Sequence, residues 1–184
     1  MKTFRSSSMS RFTRIPTALS NLLVIERQRL GDERGFFSRF FCTEELADFG
    51  IGRIAQINHT MTQAKGAIRG MHFQRPPDDE AKFVSCLAGA VFDVAVDLRP
   101  QSSTYLRWHG EVLSAENARS MMIPPSFAHG FQTLTENCEL IYLHDKPYAP
   151  GAEGGVNALD PRISIAWPLP VAQMSERDRN FPML

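Results

Sequence analysis

The stretch Val91-Phe92-Asp93-Val94-Ala95-Val96-Asp97-Leu98 decides the fold. Phe92, Val94, Val96 and Leu98 fall on one face at a period of two, with Asp93 and Asp97 on the other, which is the pattern of a half-buried β-strand. Working outward, similar short runs recur at Leu22 to Glu26, Phe83 to Leu87, Trp108 to Leu113, Ser120 to Ile123, Phe131 to Leu134 and Leu140 to Leu143. Gly, Pro, Asn or Ser interrupt them. Many short strands at turn-limited spacing predict an all-β sandwich or jelly-roll barrel. Helices are few and short. One is expected where Thr43 can cap a turn, Glu44 and Glu45 suit its positive end and Gly50 can stop it, and a second can begin at Ser175.

A chain of 184 residues, 43% of them hydrophobic, is long enough for one core. Residues 1 to 12, rich in serine, read as a mobile tail, and 13–184 as a single domain. Lysine plus arginine balance aspartate plus glutamate at 20 each, so no overall field favours nucleic acid or an anionic membrane. Cysteines at positions 42, 86 and 138 are odd in number and lack metal-site spacing, which fits a reducing compartment such as the cytoplasm. The first residues hold no apolar signal core, and no run approaches the roughly 18 apolar residues of a membrane span.

Chemistry concentrates in Arg69-Gly70-Met71-His72-Phe73-Gln74-Arg75-Pro76-Pro77, followed by Lys82, on what reads as a turn between two strands. Arginine and lysine can hold a phosphate or a developing enolate, and histidine is the base best placed near neutral pH. A basic surface loop with an incidental histidine would read the same way.

Seven segments, taken together, are similar to one family. They are Gly31-Asp32-Glu33-Arg34-Gly35-Phe36-Phe37, Gln56-Ile57-Asn58-His59, Arg69 to Gln74, Val91 to Arg99, Leu113-Ser114-Ala115-Glu116-Asn117, Ile123-Pro124 with Phe127-Ala128-His129-Gly130-Phe131, and Trp167-Pro168-Leu169. In this order they resemble the dTDP-4-dehydrorhamnose 3,5-epimerases over about residues 20 to 180. The resemblance implies a cupin-type jelly roll with short peripheral helices, usually a homodimer. It also implies binding of a nucleotide-linked 4-keto-6-deoxyhexose with no metal or redox cofactor.

Inverting a carbon next to a ketone needs a base for the α-proton, a cation or donor for the enolate, and an acid on the opposite face. The resemblance makes His72 the base, Lys82 the group beside the ketone oxygen and Tyr142 the acid. Lys82 also reads as an ordinary solvated strand residue, but Val84 and Cys86 share its face, which would point it into a barrel; Tyr142 alternates with Leu140 and His144 on one face and also fits a core tyrosine with a bonded hydroxyl. A carboxylate should fix the histidine tautomer. Asp178 matches the family's partner aspartate, although Ser175-Glu176-Arg177-Asp178 also reads as a capping box; Asp93 competes for the same role. For the ligand, Arg69 is expected at the pyrophosphate. Arg34, Phe36, Arg39, Gln56 and Asn58 are expected at nucleotide or sugar, some reaching a neighbouring subunit's site, and His59, His129 and Tyr148 at the sugar.

Three positions depart from the family pattern. Arg39 stands where a glutamate often faces the base, Ile57 replaces a common aspartate, and Pro147 stands where many members carry an aromatic. An arginine donates only, which suits the acceptor edge of cytosine, so a CDP-linked sugar stands beside a dTDP-linked one, as does inversion at a single carbon. Two other classes stay open. A metal-dependent cupin would need two histidines and a glutamate in its first motif, where this chain has His72-Phe73-Gln74. A non-catalytic sugar-nucleotide binder would keep the pocket and lose turnover.

Overall fold

The alternation at Ala90–Asp97 does make a strand, but the face carrying Asp93 and Asp97 is not wet: both carboxylates are fully buried. The computed structural model describes residues 10–47, 50 and 52–184. Its strands are β1 (Phe12–Pro16), β2 (Leu23–Arg27), β3 (Arg29–Asp32), β4 (Gly35–Ser38), β5 (Gln56–Thr62), β6 (Ala67–Gln74), β7 (Lys82–Ala88) and β8 (Ala90–Asp97). They continue with β9 (Trp108–Ser114), β10 (Arg119–Ile123), β11 (Phe127–Thr133), β12 (Cys138–His144), β13 (Glu153–Gly155) and β14 (Gln173–Met174). Two helices of one turn, α1 (Thr43–Leu46) and α2 (Glu176–Arg179), lie outside the sheets.

Two sheets face each other as a jelly roll. One runs β1-β2-β10-β7-β12-β5, the other β13-β6-β11-β8-β9 with β14 added in parallel to β6. Between them lies a core of Val84, Cys86, Val91, Ala95, Met121, Phe127, Phe131 and Leu140, drawn from both sheets. Each large side chain removed from water here stabilises by roughly 1.5–3 kcal/mol. The outer faces are covered as well. Chain segments near the C-terminus lay Val156, Ala158, Ile163 and Met174 on Val94, Val96 and Ala128, while Phe12 and α1's Leu46 pack near Phe83 and Leu143. This explains the mismatch at β8. Phe92, Val94 and Val96 pack outward under the C-terminal cover, so the aspartate face is the barrel interior. Asp97 is sustained there by Arg99 and by the hydroxyls of Ser102 and Thr104.

Other local expectations change. Arg69 to Gln74 is strand β6 rather than turn, and the turn comes at Arg75 to Asp78. Cys42, not Thr43, sits at the N-cap of α1, without a side-chain cap, and the helix ends well before Gly50. Ser175 does cap α2, accepting from the Asp178 N–H at 3.0 Å. The expected N-terminal tail lies largely outside the described residues, and its last residue, Phe12, is buried at the start of β1.

Candidate active site

Polar side chains replace the apolar layers at one end of the barrel. The end of β6 supplies His72, the start of β7 Lys82, the start of β11 His129, the end of β12 Tyr142 and His144, and the start of β5 Gln56 and Asn58. All of them, with Arg69 and Tyr148, line one open cavity of about 250 Å³. Gly70 and Gly130 allow β6 and β11 to approach closely enough for this. A Cβ on Gly130 would stand 2.7 Å from the Arg69 carbonyl oxygen and 3.0 Å from Gly70 Cα. Gly70 itself, at φ +136°, occupies backbone space that side chains disfavour. The pairing puts His72 directly opposite His129, with a register shift between His129 and Phe131.

His72 Nε2 lies 2.8 Å from Asp178 Oδ1. The other carboxylate oxygen, Oδ2, accepts the Gly70 N–H at 3.1 Å. Burial would raise the Asp178 carboxyl, but the bonds from His72 and Gly70, with the nearby Ser175 hydroxyl, outweigh it and hold it below the usual carboxylate range. An ionised carboxylate only accepts, so His72 Nε2 carries the proton and Nδ1 is left as the basic nitrogen. The dyad and the cap are therefore compatible: the Asp178 backbone serves Ser175 while its side chain serves His72. The Phe181 ring meets the His72 ring edge-on at 5.6 Å between centroids.

Asp93 does not reach His72. It pairs with His129, Oδ1 to Nε2 at 2.7 Å, in full burial, which pushes its carboxyl above the usual range despite His129 and Lys82 nearby. Alternation on β8 points Asp93 into the barrel, and the strand beside it there is β11. Lys82 is buried. Its ammonium donates to the His72 carbonyl oxygen at 3.2 Å and lies 3.1 Å from Glu80 Oε1. The Tyr142 hydroxyl is 3.4 Å from Thr60 Oγ1, and burial raises its pKa, keeping the phenol protonated across the working range of an enzyme. His129 packs edge-on against Tyr142 at 5.9 Å.

Of the binding candidates, Arg69 donates through Nε to Thr62 Oγ1 at 2.9 Å. Tyr148, at the mouth, donates to Glu153 Oε2 at 2.8 Å, and Arg177 clamps the same carboxylate from α2. Four candidates lie elsewhere. His59 is sent to the opposite face of β5 from Asn58 by the period of two, where it pairs with Glu139 at 3.0 Å. Arg34 and Phe36 belong to the β3–β4 hairpin, where Arg34 pairs with Asp32 and the Arg29 guanidinium lies over Phe36 at 4.3 Å. Arg39 is held by Glu45. Sequence reasoning missed Glu80, Thr60 and Phe181. Glu80 was detectable two residues before Lys82, whereas only the returning C-terminal segment brings Phe181 in. Among the described residues, no cluster of three or more His, Cys, Asp or Glu is arranged to hold a metal ion.

The open end of this jelly roll gathers a histidine, an ammonium and a phenol on one cavity, a set able to remove a proton, hold the resulting charge and return a proton. The family model for dTDP-4-dehydrorhamnose 3,5-epimerase matches residues 16–184. A dTDP-4-dehydrorhamnose 3,5-epimerase of Salmonella typhimurium is 41% identical over 174 residues, covering 92% of this chain and 94% of its own. A dTDP-4-dehydrorhamnose 3-epimerase of Streptomyces niveus is 36% identical over 92% of this chain and 82% of its own. The dTDP-6-deoxy-D-glucose-3,5-epimerase of Legionella pneumophila, solved with dTDP-4-keto-L-rhamnose, superposes with a TM-score of 0.89 at 40% identity, covering 94% of this chain and 92% of that one. The chain belongs to the dTDP-4-dehydrorhamnose 3,5-epimerase family.

Proposed function

We propose that the chain, as a single domain over 13–184, epimerises dTDP-4-dehydro-6-deoxyglucose at C3 and C5. The observation that carries this is the His72–Asp178 pair at 2.8 Å on the same cavity as Lys82 and Tyr142. His72 Nδ1 takes the proton next to the ketone. The electron pair moves onto the ketone oxygen, the Lys82 ammonium stabilises that enolate, and the Tyr142 phenol returns a proton to the opposite face. A sugar α-proton is about 10 pKa units less acidic than an imidazolium, roughly 14 kcal/mol, so enolate stabilisation carries most of the gap. Arg69 meets the pyrophosphate, with Gln56, Asn58, His129 and Tyr148 around the sugar.

The same reading makes the protein a homodimer. The β3–β4 hairpin displays Phe36 and Phe37, 60% and 64% exposed, away from its own cavity, which suits delivery of Arg34 and Phe36 to a neighbour's site. Three free cysteines support a cytoplasmic setting. The test is solvent deuterium incorporation followed by NMR, with dTDP- and CDP-linked 4-keto-6-deoxyglucose offered in turn and a His72→Ala control. Exchange at C3 and C5 of the dTDP sugar, lost in the control, is expected. Exchange at one carbon would make the protein a mono-epimerase, exchange of the CDP sugar alone would change the nucleotide, and tight binding without exchange would make it a non-catalytic binder.

A further inference from the structure

In the wall of the cavity sits a buried carboxylate that the mechanism above leaves without a role. Glu80 precedes β7 by two residues and so shares the face of Lys82. Its side chain is 5% exposed and that of Lys82 is 8%. Glu80 Oε1 lies 3.1 Å from the ammonium, and Oε2 is buried with no hydrogen-bond partner among the described residues. The other polar neighbour is His144, register partner of Lys82 on β12, whose Nδ1 stands 4.0 Å from Glu80 Oε1 and is likewise buried and unpartnered. Burial, then the charges of Lys82 and His129, push His144 down to about 4, so it is neutral near pH 7 and leaves the Glu80 charge to Lys82.

Two unpartnered polar atoms in one buried cluster are a cost to folding, and such costs persist in native proteins mainly where function needs them. The geometry indicates what this one supports. An ammonium has three N–H donors. One is directed at the His72 carbonyl oxygen, and the ion pair with Glu80 at 3.1 Å holds the ammonium from another side, so together they restrict where the remaining N–H groups can point, on a side chain that lines the cavity. A lysine stem with four free torsions would otherwise spread its charge over several positions.

We infer that Glu80 is a positioning residue: by pairing with the Lys82 ammonium it holds that ammonium where a free N–H meets the substrate's ketone oxygen. The inference rests on the enolate role proposed for Lys82. Because the enolate carries far more charge than the ketone, an aimed donor matters more to the transition state than to the bound substrate. Loss of Glu80 therefore acts on kcat rather than on KM.

The test is a double-mutant cycle on the dTDP-linked 4-keto-6-deoxyglucose, with deuterium exchange at C3 as a sensitive rate and KM measured alongside. Glu80→Gln preserves shape and an acceptor oxygen. It is expected to lower kcat about tenfold or more, about the scale of one interaction with a charged group, with KM within about twofold. In a Lys82→Met background the same change is expected to cost nothing further. Equal losses in both backgrounds, or no loss in the native enzyme, would overturn the inference. If Lys82→Met itself keeps full activity, the role of Lys82 fails instead. Should Glu80→Gln fold poorly because it strands a buried ammonium, Glu80→Met with Lys82→Met removes both charges. Comparing that pair with Lys82→Met alone still decides, because the inference requires equal rates.

Discussion

Replacing Asp178 by asparagine should damage the enzyme more than replacing it by alanine, and the reason is visible in the hydrogen bonds. The Asp178 carboxylate accepts twice, from the Gly70 N–H at 3.1 Å and from His72 Nε2 at 2.8 Å. An asparagine has one acceptor oxygen and one NH₂ donor. The Gly70 N–H is fixed in strand β6 and claims the oxygen, so the amide NH₂ turns toward His72. It then donates to Nε2, forcing the proton onto Nδ1 and removing the basic nitrogen from the cavity. Alanine only removes the partner and leaves the imidazole free to adopt either tautomer. Losing one charge-assisted bond is worth about 1.5–3 kcal/mol, or roughly 10- to 150-fold in kcat, whereas tautomer inversion in the serine-protease triad costs about 10⁴. Asp178→Ala is thus expected to lose about 10- to 150-fold and Asp178→Asn at least about tenfold more. The assay is deuterium exchange at C3 per mole of folded enzyme, with folding checked by near-UV circular dichroism. An asparagine variant as fast as the alanine variant would refute the tautomer argument, and one near native activity would refute the dyad itself.

Other consequences can be checked separately. Gly130→Ala should lower stability by about 1–3 kcal/mol or more in urea unfolding, because the new Cβ meets the Arg69 carbonyl oxygen at 2.7 Å and Met71 Sδ at 2.6 Å; an unchanged midpoint would contradict the close approach of β6 and β11. Tyr142→Phe should retain His72-dependent exchange at C3 while net inversion falls by about 10²- to 10⁴-fold, since the phenol is needed only to return a proton to the opposite face; equal loss of exchange and inversion would deny it the acid role. The Asp178 carboxyl is held below its usual range, so it contributes stability above the unfolded value of about 3.9, and the contribution is lost as pH falls through the folded value. The gap in urea midpoint between native protein and Asp178→Ala should therefore be full at neutral pH and shrink in strong acid, and a constant gap would mean that Asp178 contributes no charge-linked stability.

The alternation through Val91 to Leu98 and the short runs around it were enough for an all-β sandwich or jelly-roll barrel, because a period of two with frequent turns admits few other folds, and the family resemblance narrowed this to the jelly roll. The same alternation placed Lys82 with Val84 and Cys86, and Tyr142 with His144, on faces that do point inward. His72 was legible as the chemical centre. Sequence could not say which faces are wet. Asp93 and Asp97 look like a solvent face, yet Phe92, Val94 and Val96 are covered by residues some sixty or more positions later, so both faces of β8 are dry. Alternation tells two faces apart but does not say what packs on each. Pairings between distant strands were equally hidden. Asp93 and Asp178 competed for His72 until β11 brought the His129 side chain to Asp93 and the C-terminal segment brought Asp178 to His72 across 106 residues of chain. His59 failed for the converse reason, since a motif lists neighbours in sequence while a strand sends them to opposite sides. The residue types, their periods and the available chemistry were fixed locally, by covalent geometry and polarity. Which acid meets which base depended on long-range packing, which no local pattern encodes.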